Sequence, residues 1–220
     1  MLRKVIITLS FSLMFTSVTT VAKAEWIKDY ENDSSKLNYN MTENYIEPMK
    51  LPQYYQADDR WGAKRYGLSN MKLTGCVPTA LAMAISGLKE DVNPVQVADF
   101  LYNMTMELNT TFLGTSSLGV QEVVSQWGLN YKVIDSKEEL EKTLKNGTLV
   151  YGAVGHGIFV NGYSTHAVLL TGYENGKTKA FDPDNMAKTN KWYNIDDIWK
   201  ERSLAPEDNM TGGAFIAIYK

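Results

Sequence analysis

"LTGCVPTALAMAI", residues 73–85, contains the only cysteine of the 220-residue chain, two positions ahead of a proline and at the mouth of a run with helical spacing. Proline is favoured in the first turn of a helix, where its missing N–H would have no intrahelical partner, and Val77, Leu81, Ile85 and Leu88 recur on one face. The spacing predicts a helix from about Pro78 to Leu88, with Cys76 at its amino end. That end presents unpaired N–H groups and the positive pole of the helix dipole, and both favour a thiolate over a thiol. The other fate of a free cysteine is that of a small, buried, inert hydrophobe. The compartment helps to decide between them.

The first residues bear on the compartment. "MLRK" is basic, "VIITLSFSLMFTSVTTV" is apolar and uncharged, and "AKA" at 22–24 has the small-x-small form of a cleavage site. Residues 1–24 are therefore expected to be a secretory signal peptide. As a membrane anchor the run is near the short limit, and a polar tail follows it at once. Without these residues the chain loses Arg3, Lys4 and Lys23 and no acid, so 19 basic groups face 25 acidic ones, a net charge of −6. That sign argues against nucleic acid or an anionic membrane as partner, and no stable membrane insertion is expected after cleavage. One cysteine cannot form an intramolecular disulfide, so in an oxidising compartment Cys76 is expected as a free thiol placed to react.

Residues 25–48 are polar and charged with no sustained period, and read as a mobile extension or linker ahead of one domain over 49–220. Within that domain the second helix follows Asn93 as cap with Pro94 just inside, and a third spans Ser117 to Trp127 before Gly128. A fourth begins with the capping-box pair Ser136 and Glu139 and ends at Gly147. The pattern then turns extended: Thr148–Val154, His166–Tyr173, Lys177–Pro183 and the C-terminal "FIAIYK" read as strands, with a late helix over Ile195–Glu201. Asn175-Gly176 joins two of the strands as a hairpin turn. Helices first and antiparallel strands later give an α+β domain.

A nucleophilic cysteine needs a base, and the chain has only His156 and His166. His166 starts the apolar strand "HAVLLTGY", a rigid placement, whereas His156 lies between glycines in "VGHGIF" and reads as a loop residue; His166 is favoured. The next strand, "KAFDPDN", supplies Asp182, Asp184 and Asn185 as groups to orient the imidazole. A strict two-residue turn sets Asn185 opposite His166 and turns Asp182 to the other face. One extra residue in the turn, or a bulge, brings Asp182 onto the His166 face. Periodicity alone leaves both registers open. For a developing oxyanion the donors on offer are the Cys76 N–H and the side-chain amide of Gln56 in "LPQYYQADDRW". Tyr54, Tyr55, Trp61 and Tyr66 could wall a groove, although packing is the commoner role for such residues.

"LPQYYQADDRWGAKRYG", "TGCVPTALAMAIS", "GYSTHAVLLTGYENGK" and "KAFDPDN" resemble successive blocks of the double-glycine-leader (bacteriocin-processing) cysteine peptidases, and more closely that family's stand-alone, secreted relatives. The resemblance covers about residues 50 to 219. It implies a papain-like fold, N-terminal helices packed on a C-terminal antiparallel sheet. It further implies Cys76 as nucleophile, His166 as general base and acid, Asp182 as orienter and Gln56 as oxyanion donor. Val77 stands where many members carry glycine. No transporter segment or nucleotide-binding motif accompanies the domain, so the leader-peptide substrate does not carry over.

The function expected is a secreted cysteine peptidase acting on an extracellular peptide, protein or cell-wall peptide, with no cofactor. Two other readings keep the scaffold: an amidase or endopeptidase on peptidoglycan peptides, and a binding module without turnover. With two histidines, one cysteine and no HExxH motif, a zinc site is not expected. "DPDN" lacks the spacing and closing glutamate of a calcium loop.

Overall fold

The computed structural model describes residues 45–107, 114–162 and 164–220. The expected signal peptide and nearly all of the extension lie outside the described residues. The extension's last residues belong to the folded unit: Tyr45–Ile46 (β1) pairs with the sheet, and Ile46 packs into the core.

A short hairpin, Arg65–Tyr66 (β2) and Ser69–Asn70 (β3), leads into a single helical turn, Met71–Thr74 (α1), capped by the Asn70 side chain. Gly75 then joins α1 to the helix Cys76–Leu88 (α2), which starts two residues earlier than Pro78. Because Pro78 sits third in the helix, its lack of an N–H still falls among donors that have no intrahelical partner. Ten of the thirteen residues of α2 are buried, so it is a central helix covered on nearly all sides. Pro94–Met104 (α3) has the full Asn93–Gln96 capping box, and Ser117–Gln126 (α4) is capped by Ser116.

The sheet comprises β1 with Asn130–Ile134 (β4), Leu149–Val154 (β5), His166–Glu174 (β6), Lys177–Phe181 (β7), Lys191–Asn194 (β8) and Phe215–Tyr219 (β9). Its order is β4-β9-β5-β6-β7-β8, antiparallel throughout, with β1 against the end of β6. Lys137–Lys145 (α5) and Ile195–Lys200 (α6) complete the fold. Strand alternation divides the core. Leu149, Tyr151, Ala153, Leu169, Ile216 and Ile218 pack with α2, α3 and α4. Val150, Val154, Val168, Leu170, Phe215 and Ala217 pack with α5 and α6 on the opposite face. The sheet is thus covered on both sides, which explains why β5 is buried along its whole length.

The Ser136–Glu139 pairing forms by half. Ser136 accepts the Glu139 N–H, while the Glu139 carboxylate turns to Lys132 and to the Asp135 N–H. A cationic partner outcompetes the cap's own backbone donor. Strands β4 and β8 lie where no strand is expected from the pattern, since "NYKVI" and "KWYN" show neither a long apolar run nor clean alternation.

The hairpin between β6 and β7 decides the site. Asn175 and Gly176 both take positive φ, 47° and 80°, and Glu174 pairs with Lys177 as in a two-residue turn. The register then slips: Thr171 pairs with Lys179 and Leu169 with Phe181, so β6 has one extra residue between Thr171 and Glu174. Gly172 sits in this bulge at φ 73°. Continued along the strands, the slipped register sets Asp182 opposite Val168, two residues from His166 and on the same face. The N-terminal segment seals the bulge. β1 pairs with Tyr173 and Glu174, the Met49 N–H donates to Thr171 Oγ1 at 3.0 Å, and Pro48 lies where a Gly172 side chain would be.

Gly172→Ala should therefore cost more than Gly176→Ala, although both glycines have positive φ. A Cβ at 172 would lie 2.8 Å from Pro48, whereas one at 176 meets nothing within 4 Å. Urea unfolding should show a loss of about 1 kcal/mol at 176 and about 2–4 kcal/mol at 172. Equal losses would contradict the role given to the Pro48 contact.

Candidate active site

The nucleophile candidate is placed by a tight corner. Gly75 donates its N–H to Met71 O at 2.8 Å, and a Cβ on it would lie 2.3 Å from that oxygen, so only glycine turns α1 into α2 here. The turn leaves Cys76 at the first position of α2, a free cysteine, partly exposed. Val77 beside it is buried in the helical core.

His166 heads β6, beyond the point at which β6 and β7 stop pairing. Its Nε2 bonds Asp182 Oδ1 at 2.7 Å, with side-chain exposures of 11% and 1%. Asp182 is held from several sides. Its Oδ1 also accepts the N–H groups of Asp184 (2.8 Å) and Asn185 (3.1 Å), and its own N–H donates to Thr189 Oγ1 at 3.0 Å. Asn185 itself turns away, its side chain accepting the Ala187 N–H. With Nε2–H given to the carboxylate, Nδ1 is the nitrogen left for Cys76. Burial disfavours the charged ring, but the hydrogen bonds to Asp182 and Cys76 and the charges of both outweigh it, raising the His166 pKa to about 10.

Cys76 and His166 open onto one cavity of about 200 Å³. Val77, Thr115, Tyr151 and Thr165 form part of its lining, and Glu207 and Asp208 come from the short 3₁₀ turn Glu207–Asn209.

Gln56 is buried but lies outside that lining. Its backbone N–H donates to Pro183 O and its amide Nε2 to Lys72 O, both at 2.8 Å, while its Oε1 has no partner. Gln56 thereby ties the segment after Asp182 to the segment before Cys76. His156 is exposed in the β5–β6 loop, accepts the Gly162 N–H at 3.2 Å and stands apart from the cavity. Tyr54 and Trp61 pack edge to face, Trp61 donates to Tyr55 O, and Trp61 and Tyr66 are buried: this aromatic cluster is core. Among the described residues no group of three or more His, Cys, Asp or Glu side chains is arranged to hold a metal ion.

Sequence reading missed Tyr151, Thr165 and Asp208. A tyrosine inside the fully buried strand "LVYGAV" is a polar group needing explanation, and that was the available signal. Asp208, in the loop "APEDN", gives none.

A family model described as "Peptidase_C39 like family" matches residues 48–206. Among solved structures, a C39-like peptidase from Bacillus anthracis superposes with a TM-score of 0.55 at 15% identity, covering 80% of this chain and 98% of that one. The peptidase domain of Streptococcus ComA, a bifunctional ABC transporter involved in quorum sensing, gives 0.49 at 19% identity, covering 78% and 96%. A double glycine motif protease from an AMS/PCAT transporter, in complex with its leader peptide, gives 0.46 at 17%, covering 80% and 96%. Among curated proteins none matches the sequence. The fold is the papain-like α+β fold, helices against an antiparallel sheet.

The ring of His166 should stay protonated on both nitrogens through neutral pH and titrate near pH 10 when followed by its nitrogen-15 shifts. Asp182→Asn removes one cause of the rise and should lower the midpoint. A wild-type midpoint at the ordinary 6.5 would contradict the geometry.

Proposed function

The chain belongs to the peptidase C39-like family, and we propose that it is a secreted cysteine peptidase that cleaves an amide bond of an extracellular peptide through an acyl-enzyme on Cys76. The observation that carries this reading is one buried imidazole, bonded to Asp182 through Nε2, on the cavity that Cys76 also lines.

In the proposed reaction His166 Nδ1 holds the proton of Cys76, and Sγ attacks the scissile carbonyl carbon. The carbonyl oxygen gains the charge and takes hydrogen bonds from the Cys76 N–H, at the start of α2, and from Gln56. Gln56 lies outside the cavity lining with one amide N–H given to Lys72 O, and the second N–H is the donor proposed for the oxyanion. On collapse the C–N bond breaks, the amine leaves with the proton from His166, and a thioester remains. Water, deprotonated by His166, hydrolyses it. Asp182 keeps the ring oriented and supports its charged form.

Secretion rests on residues 1–24. The acidic mature chain suits a soluble extracellular enzyme acting on peptides, proteins or cell-wall peptides.

Turnover of a mixed peptide pool and of purified cell-wall peptides, read by mass spectrometry, tests the proposal. Cys76→Ala should abolish cleavage. His166→Ala should lower kcat/KM by about 10³-fold or more, and Gln56→Ala should lower kcat by about 10²–10³-fold. Cleavage that survives Cys76→Ala would overturn the reading. Activity confined to wall peptides would make the enzyme a wall endopeptidase or amidase.

A further inference from the structure

Asp208 is a buried carboxylate, 8% exposed, on the wall of the cavity that Cys76 and His166 share. Its side-chain hydrogen bond among the described residues is to a neutral hydroxyl: Ser203 Oγ donates to Oδ2 at 2.5 Å. Among the described residues no lysine or arginine pairs with it, and the charge of His166 is taken up by Asp182 and Cys76. Glu207, half-buried beside it, adds a second carboxylate to the same wall. A buried carboxylate without a cation is destabilising, and its brace on the 203–209 loop could be made as well by a neutral amide.

Tyr151 supplies an independent observation. Its side chain is 2% exposed, it lines the same cavity, and its hydroxyl makes no hydrogen bond to any described residue. Asp208 and the reacting Cys76 both line that cavity with it. Buried tyrosine hydroxyls normally have partners. A carboxylate without a cation and a hydroxyl without a partner, facing one small cavity, ask for a ligand that is both cationic and a donor of several hydrogen bonds. A primary ammonium fits: it carries one charge and three N–H donors. About 200 Å³ holds one side chain or one peptide end.

We propose that Asp208 and Tyr151 form a subsite that binds a protonated primary amine on the substrate, carried by a residue that flanks the scissile bond. The inference rests on the peptidase reading of Cys76. The enzyme then prefers peptides with a lysine-type side chain or a free amino terminus next to the cleaved bond over neutral isosteres. The side chains act on substrate binding and leave the bond-making steps as described above.

The first test needs no turnover. Cys76 is modified with 2-aminoethyl methanethiosulfonate, a cation, and with neutral methyl methanethiosulfonate, and the rate ratio is divided by that of a small free thiol. The corrected ratio should exceed one by about tenfold in the wild type and fall towards one in Asp208→Asn. Tyr151→Phe should lower it by a smaller factor, and it decides the matter if Asp208→Asn does not fold. A wild-type ratio of one, or one that neither substitution changes, overturns the subsite. Paired peptides then identify the amine: lysine against norleucine on either side of the bond, and free against acetylated amino termini, compared by kcat/KM. A thiol that shows the cationic preference while no peptide is cut would refute the peptidase reading and leave the subsite standing. A thiol inert to both reagents would overturn both.

Discussion

One extra residue in β6 sets the geometry on which the site depends. In the register of the Asn175-Gly176 turn, Asn185 would lie opposite His166 and Asp182 would point through the other face of the sheet. The bulge at Gly172 reverses this, and the Asp182 carboxylate meets the imidazole at 2.7 Å. Such a slip needs a residue that tolerates positive φ, and it needs something to keep the strand from relaxing to the regular ladder. Gly172 meets the first need. Residues 45–49 meet the second by pairing with the bulged end of β6 and laying Pro48 against Gly172. The segment ahead of the helices is therefore part of the machinery that aims Asp182, some 130 residues away in sequence.

A second constraint is electrostatic. A ring buried as deeply as His166 ought to be neutral, since desolvation disfavours its charge. Asp182 reverses that preference, and it can do so because two backbone N–H groups besides the ring donate to its carboxylate and its own N–H is anchored on Thr189 Oγ1, so it does not turn away. The same low-dielectric surroundings strengthen the pair and raise the cost of any charge left alone. On that reasoning Asp208, on the wall of the same cavity and without a cation among the described residues, is the group whose charge calls for a partner from outside the chain.

Much of this was readable from the chain. Proline after a lone cysteine marked the head of the central helix, Asn93-Pro94 marked the start of the next, Gly128 the end of the third, and the Asn-Gly pair the hairpin. The limits were physical. A glycine in "LLTGY" serves equally as a flat strand residue or as a bulge, and the choice is made by Pro48, far off in sequence. Strand β4 gains its place from pairing with the C-terminal β9, not from its own mixed composition. Nothing local singles out Gly75, since its constraint, the close approach to Met71 O, arises only in the folded corner between α1 and α2. Asp208 sits in a polar loop whose burial comes entirely from tertiary packing.

The central claim is that His166, and not His156, activates Cys76. Alkylation of Cys76 by iodoacetamide at one near-neutral pH, in the wild type, His166→Ala and His156→Ala, tests it without any substrate. The account predicts that His166→Ala slows the reaction by at least about tenfold while His156→Ala reacts like the wild type. Equal rates in all three proteins would contradict it and leave Cys76 an ordinary thiol on a peptidase scaffold.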